Sequence, residues 1–243
     1  MELYLVTGAS RGLGLALARQ LGAESAVRVV AISRRGLPSE TLVWRDVRAD
    51  LGTDAGQRAA IAAVVSALGA QPWSRAVLIN NAGMLEPLGV LGNADAALVQ
   101  RSIAVNLTAT IVLMNAFLVH SAIVPVRSVV NISSGSGRRP IPGSGPYCAA
   151  KAGMDMISRV AALEAETAAA NVRITSLAPG IIDTDMQVAA RGASEADLPS
   201  VGMFRSFKSE NQLKAPDEVA AKIIALEREG RLPAGVADIR ELN

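Results

Sequence analysis

The sequence predicts an α/β fold, a single domain built on one doubly wound parallel sheet with helices on both faces. Three observations predict it. Short β-branched, apolar runs alternate with longer stretches of helical pattern. Those runs are apolar nearly throughout, as strands covered on both faces are. The 243 residues, half of them apolar, are enough for one sizeable core, and no linker, repeat or low-complexity tract divides them.

The elements follow in order. "LYLVTG" (3–8) is the first strand, and a helix over 12–23 leads to "VRVVAIS" (27–33). "TLVWRD" (41–46) is the third strand. The "RRGLPSE" segment before it is short for a parallel crossover, so its helix should be reduced to a turn or lost. A helix over 53–69, the strand "AVLIN" (76–80), a helix over 93–121 and the strand "RSVVNIS" (127–133) come next. A helix over 146–169 precedes "VRITSLA" (172–178). Pro216 and Asp217 open a helix over 216–229, Gly230 ends it, and "GVADI" (235–239) completes a seven-stranded sheet. From Asp185 to about Leu213 the pattern is irregular, with Gly192, Pro199 and Gly202; loops of that length in a compact domain are often lids.

Composition narrows the chemistry. Net charge is +2 with no dense Lys/Arg run, which argues against nucleic acid as a partner. The single cysteine, Cys148, excludes an internal disulfide framework, and the single histidine, His120, argues against a histidine-based metal site or a Ser-His-Asp triad. The start "MELYLVTGAS" reads as a strand rather than a signal peptide, so a cytoplasmic setting is expected. Ser102 to Val126 lacks any charged Asp, Glu, Lys or Arg and is long enough to span a bilayer. Its polar residues are scattered, however, and Ile103, Leu107, Ile111, Met114 and Leu118 make a helical stripe. A buried helix, not a membrane span, is expected there.

"VTGASRGLG" sits between the first strand and the first helix. Gly8 allows a tight turn, Gly12 lets backbone approach a phosphate, and Gly14 permits close helix packing; Ser10, Arg11 and Leu13 belong to the same loop. The helix N-terminus offers unpaired N–H groups to a pyrophosphate, the Rossmann-type arrangement. After the second strand, where NAD sites usually place an acid, the chain has "ISRRG". Arg34, with Arg11, is suited to clamp a 2′-phosphate, so NADP(H) is the expected cofactor. Two solvated loop arginines are the plainer alternative.

In "GPYCAAKAG" a tyrosine and a lysine stand one helical turn apart among small residues, on one helix face. "TGASRGLG", "NNAG" (80–83), "NISS" (131–134), "YCAAK" (147–151) and "APG" (178–180) occur in this order over nearly the whole chain. Together they resemble the compact short-chain dehydrogenase/reductases. The resemblance implies a tetrad of Asn106, Ser134, Tyr147 and Lys151. Tyr147 would exchange a proton with the carbonyl oxygen, Lys151 would favour the phenolate, Ser134 would hydrogen-bond the same oxygen, and Asn106 would hold a water linking Lys151 to solvent. Tyr147 and Lys151 would also touch the cofactor. Cys148, about 100° round the helix, reads as a small residue pointing away rather than a nucleophile.

The resemblance further implies cofactor contacts from Asn81, Ala82 and Gly83, from Asp50 and Leu51 at the adenine (with Asp46 a competitor), and from Pro179, Gly180 and Ile182. Thr184 would cap a following segment on the diphosphate. "ISRRG", "NISSGSG", "PYCAAKAGMDM" and "GVADIRELN" look closest to the sepiapterin and benzil reductase branch, which reduces one carbonyl of a vicinal dicarbonyl or α-hydroxy ketone. Met186, Met203, Phe204 and Phe207 would offer apolar surface to the substrate. Asp238 is either the acid that anchors substrate in that branch or simply a carboxylate ending the last strand. Arg138 and Arg139 either meet an anionic group or occupy an exposed loop. A 3-oxoacyl-thioester or steroid-type ketoreductase and a non-catalytic NADP(H) sensor are the alternative functions. A homodimer or homotetramer is expected, as such proteins pair on the long uncharged helix and the Tyr147 helix.

Overall fold

The computed structural model describes residues 1–242. Its strands are β1 (Glu2–Thr7), β2 (Val27–Ser33), β3 (Arg45–Arg48), β4 (Arg75–Asn80), β5 (Val126–Ile132), β6 (Val172–Ala178) and β7 (Gly235–Asp238). They form one parallel sheet in the order β3-β2-β1-β4-β5-β6-β7. The chain winds outward from β1 to β3, then returns to β4 and winds the other way. That reversal opens a crevice at the carboxyl ends of β1 and β4, where open α/β sheets bind dinucleotides.

Side-chain alternation along β1 sorts the core into two layers. Tyr4 and Val6 face α1 (Gly12–Gly22) and α8 (Pro216–Arg228). Leu3 and Leu5 face α2 (Asp54–Leu68), α4 (Ala109–His120) and α5 (Gly145–Thr167). Each fully buried Leu, Ile or Val stabilises the fold by roughly 1.5–3 kcal/mol, so both faces must be covered.

Four expectations about the elements are corrected. The third strand begins at Arg45, not Thr41; Gly36 takes φ +78° and the Leu37 N–H donates to Asp46 Oδ2 at 3.0 Å. That turn consumes the chain between β2 and β3, and no helix forms there. The long helix over 93–121 is instead α3 (Ala96–Ile103), a π-helical turn (Ala104–Thr108) and α4. Its apolar stretch Ala96–His120 is long enough to cross a membrane, yet Leu113, Met114 and Phe117 pack into the core against the sheet. The segment read as irregular after Asp185 holds two short helices, α6 (Asp185–Gly192) and α7 (Val201–Ser209). Helices this short are marginal alone and are fixed by packing, here of Ala190, Leu198 and Val201. The last strand stops at Asp238, and Ile239–Glu241 is a single 3-10 turn.

Candidate active site

The glycine loop is built by close approach. Gly8 has φ +67° and Gly12 φ +54°, which side chains rarely tolerate. A Cβ on Gly14 would overlap the Gly8 carbonyl oxygen and the Asn81 carboxamide. Thr7, which sequence reading passed over, fastens the next segment: its Oγ1 accepts the N–H groups of Asn81 and Ala82, each at 3.0 Å. Asn81 Nδ2 in turn donates to the Thr7 carbonyl at 3.0 Å. "NNAG" is thereby strapped to the loop, with Gly8 and Gly14 against Asn81 and Ala82, while Leu13 is buried in the core. This glycine-lined cradle, with no room for a Cβ at Gly14, fits a dinucleotide pyrophosphate.

The start of α6 closes over the cradle. Thr184 Cγ2 lies 3.2 Å from where a Cβ on Gly12 would stand, and Arg11 Nη1 meets Asp185 Oδ2 at 2.9 Å. Thr184 occupies the N-cap of α6, but its side chain caps no backbone N–H, contrary to the capping expectation. Pro179 and Gly180 (φ +79°) turn the chain after β6. Ile182 sits in a bridge to Lys214 whose bonds use the Asp183 N–H and the Ile181 carbonyl, so neither bond uses the Ile182 N–H.

At the adenine end Asp50 is engaged rather than open. Its two oxygens accept Arg101 Nη2 at 2.9 and 2.7 Å, and one also accepts the Gly52 N–H. Burial raises its pKa, but the Arg101 hydrogen bond, the Gly52 N–H and the charges of Arg101 and Arg34 outweigh it and hold the carboxyl below its usual range. Asp46 is likewise committed, to the Leu37 N–H. Leu51 is buried, and Arg34 stands exposed at the end of β2 with no acid beside it in sequence.

The catalytic candidates converge at the ends of β5 and α5. Tyr147 and Lys151 share the buried face of α5, at 7% and 3% exposure, so both are shielded from water. Lys151 Nζ donates to the Ile132 carbonyl at 2.7 Å and lies 5.6 Å from the Tyr147 ring centre. Burial pushes the Tyr147 phenol up to about 12, against the pull of the Ser134 hydroxyl, with Cys148 adding to the rise. Burial brings Lys151 down to about 8, opposed by Asp155. Ser134 opens the 3-10 turn Gly135–Gly137, its Oγ accepting the Ser136 N–H at 3.1 Å. Asn106 lies in the π-helical turn, a feature common at functional sites. Its Nδ2 donates to the Met84 carbonyl (2.9 Å) and Ser102 Oγ (3.1 Å), and its Oδ1 accepts the Met84 N–H. The two bonds to Met84 tie this helix to the residue that follows "NNAG", while the bond to Ser102 stays within the helical stretch. Cys148 is half-buried beside Tyr147.

Above Tyr147 an apolar wall forms from Leu85, Ala190, Leu198 and Val201, with Met186 and Phe204 packed against it. Phe207 makes an edge contact with Phe204, whereas Met203 points outward. Two other candidates are held by bonds within the chain. Asp238 Oδ1 accepts the Arg240 N–H and Nε at 3.0 and 2.9 Å, and Oδ2 accepts Nη2 at 2.7 Å, so its carboxylate ends the strand and is already neutralised. Arg138 is a strut, donating to Asp155 Oδ2 (3.1 Å) and the Ala237 carbonyl (2.9 Å), not a greeter of anions; Arg139 is exposed. Sequence reading missed Thr7, Arg101 and Asp155. The only signal was a polar residue placed in an otherwise apolar or small-residue context, which periodicity treats as noise.

A doubly wound parallel sheet with a glycine cradle at its switch point and a shielded Tyr–Lys pair beside it defines a dinucleotide-dependent oxidoreductase. The chain belongs to the short chain dehydrogenase family, whose model matches residues 2–195. It is 34% identical over 242 residues to the (S)-benzoin-forming benzil reductase of Bacillus subtilis, with 99% of each chain covered. It is 36% identical over 253 residues to sepiapterin reductase of Meriones unguiculatus, covering 95% of this chain and 93% of the relative. The crystal structure of the KRED1-Pglu enzyme superposes with a TM-score of 0.83 at 27% identity, over 98% of this chain and all of that one. The protein is therefore an oxidoreductase of this family, near the benzil and sepiapterin reductase branch, acting on carbonyl or hydroxyl groups with a nicotinamide cofactor.

Proposed function

We propose that this protein is an NADPH-dependent carbonyl reductase that delivers hydride to a small ketone, one carbonyl of a vicinal dicarbonyl or α-hydroxy ketone. The observation that carries this reading is the shielded Tyr147–Lys151 pair beside Ser134, roofed by the apolar wall that Met186 and Phe204 join. The relatives named for benzil and sepiapterin support the substrate class. Arg34 at the end of β2, where the sequence places no acid, and Arg11 in the glycine loop support NADP(H) over NAD(H).

When bound, the cofactor supplies the hydride. The residues supply the rest. A phenol pushed up to about 12 keeps its proton at neutral pH, so Tyr147 arrives at the carbonyl oxygen as a donor. As that proton leaves, the Lys151 ammonium one turn away stabilises the phenolate, an interaction strengthened by exclusion of water. Ser134 Oγ hydrogen-bonds the same oxygen, and Asn106 fixes the "NNAG" segment under the nicotinamide end. Gly8, Ser10, Arg11, Gly12, Leu13 and Gly14 hold the pyrophosphate. Asn81, Ala82, Gly83, Asp50 and Leu51 line the adenosine side, Asp50 through its backbone. Pro179, Gly180, Ile182 and Thr184 close the cofactor from above. The helices α6 and α7 act as the lid, with Met186 and Phe204 against the substrate.

Self-association as a homodimer or homotetramer, in the cytoplasm, belongs to the same proposal. Met156, Val160 and Leu163 on α5, Val119 on α4 and Ile123 just after it expose apolar surface. Sedimentation of the purified chain tests this. The activity is tested by following NADPH oxidation with benzil, sepiapterin, a 3-oxoacyl thioester and a steroid ketone. Turnover of the dicarbonyls supports the assignment; turnover of only the thioester or steroid replaces it with that ketoreductase class; NADPH binding with no turnover replaces it with a sensor.

A further inference from the structure

Asp155 is 4% exposed and lies on α5 one turn beyond Lys151, two turns beyond Tyr147, on the same buried face. Residues one turn apart on a helix have neighbouring side chains, so a carboxylate and an ammonium are shielded together. Asp155 is fixed from three other elements. Its Oδ1 accepts Ser133 Oγ from the end of β5 and Ser176 Oγ from β6, each at 2.6 Å. Its Oδ2 accepts Arg138 Nε at 3.1 Å, and the same guanidinium reaches the β7 carbonyl of Ala237. A buried carboxylate needs donors on its oxygens and a cation near it.

We propose that Asp155 is a positioning residue for the reaction, the fixed counter-charge that keeps Lys151 an ammonium beside Tyr147. The inference rests on the reductase reading for its purpose but not for its physics. Lys151 itself has no acid bonded to it; Nζ is spent on the Ile132 carbonyl and touches the Met154 sulfur at 3.9 Å. Burial alone favours the neutral amine, which could not stabilise a phenolate. The charged and titratable groups around it are few. Tyr147 and Asp155 stand on its own helix, and Arg138 comes from the turn after β5. Asp238, from the end of β7, is already paired with Arg240. Asp155 is the acid on the buried face of α5, one turn from Lys151, and Arg138, bonded to it at 3.1 Å, is the cation that competes with Lys151 for it. The field at Lys151 is set by that pair, which gives the proposal two predictions of opposite sign.

The test is a direct titration of the full chain without cofactor or substrate. Lysine labelled with carbon-13 at Cε gives few signals, since the sequence has only four lysines, and Lys151→Arg assigns the one that matters. Asp155→Asn keeps the volume and an oxygen for both serines while removing the charge, and the Lys151 midpoint should fall by about one pH unit or more. Arg138→Met removes the competing cation from a partly exposed site, and the midpoint should rise. An unchanged midpoint in folded Asp155→Asn overturns the proposal, as does a fall or no change in Arg138→Met. Should Asp155→Asn fail to fold, Arg138→Met decides alone. In the reduction assay the alkaline limb of kcat/KM should move to lower pH in Asp155→Asn, which a merely structural loss would not do. A protein that reduces no carbonyl would remove the functional reading and leave the titration result standing.

Discussion

Arg11 Nη1 lies 2.9 Å from Asp185 Oδ2, an ion pair that joins the glycine loop to the first turn of the lid. Both side chains are more than half exposed, so the pair adds only about 0–1 kcal/mol to stability. Its interest is competition: Arg11 cannot serve Asp185 and a cofactor phosphate equally. Asp185→Asn should leave the melting temperature nearly unchanged and tighten NADPH binding about twofold to tenfold, measured by fluorescence titration. Weaker binding would mean that Asp185 holds Arg11 in its working position.

Gly14 has no space for a side chain against Gly8 and Asn81. Gly14→Ala should lose roughly 1–3 kcal/mol of stability through overpacking. Because the displaced atoms are backbone of the pyrophosphate cradle, cofactor affinity should drop more steeply than stability. A thermal melt paired with NADPH titration separates the two losses.

Cofactor choice should follow Arg34. Arg34→Asp places an acid where a 2′-phosphate would lie and where a ribose hydroxyl would welcome it. The ratio of kcat/KM for NADPH over NADH should fall by about 10- to 100-fold, the scale of one or two charge-assisted hydrogen bonds. An unchanged ratio would mean that Arg34 is a solvated loop residue.

Lys151 makes stability depend on pH in a defined direction. Its folded value of about 8 lies below its ordinary 10.5. Between those values the unfolded chain binds more protons than the folded one, so the penalty for burying the lysine is present below pH 8 and relieved as pH rises toward 10.5. The full swing is on the order of 3 kcal/mol. Tyr147 works the other way: burial raises its pKa to about 12, so its contribution is lost only as pH climbs from 10 to 12, and buried Tyr4 has the same sign. Lys151→Met isolates the lysine. From pH 7 to 10 the wild-type melting temperature should rise relative to the variant; parallel curves would contradict the burial of an amine.

The sheet was legible because β1, β2, β4, β5 and β6 are nearly continuous apolar runs that must be covered on both faces, whereas β3, Arg45–Arg48, is charged and half-exposed and was misplaced. The glycine loop and the Tyr147–Lys151 pair were legible because they are local, set by spacing within one turn. What was lost was decided across the chain. Whether Asp50 is open depends on Arg101, 51 residues away, and whether Asp238 is free depends on how a 3-10 turn folds Arg240 back onto it. The helices α6 and α7 are short and lie in a stretch broken by Gly192, Pro199 and Gly202, and Ala190, Leu198 and Val201 hold them against Tyr147 and Leu85. Asp155 was invisible for the same reason, since its three donors come from β5, β6 and the turn after β5.

Whether Tyr147 gives its proton to a substrate carbonyl is tested most directly by NADPH oxidation with benzil, wild type and Tyr147→Phe side by side. The ring and its packing survive that change and only the hydroxyl goes. The account predicts turnover by wild type and a loss of about 100-fold or more in the variant, with NADPH affinity retained. A Tyr147→Phe enzyme that reduces benzil at the wild-type rate would contradict it.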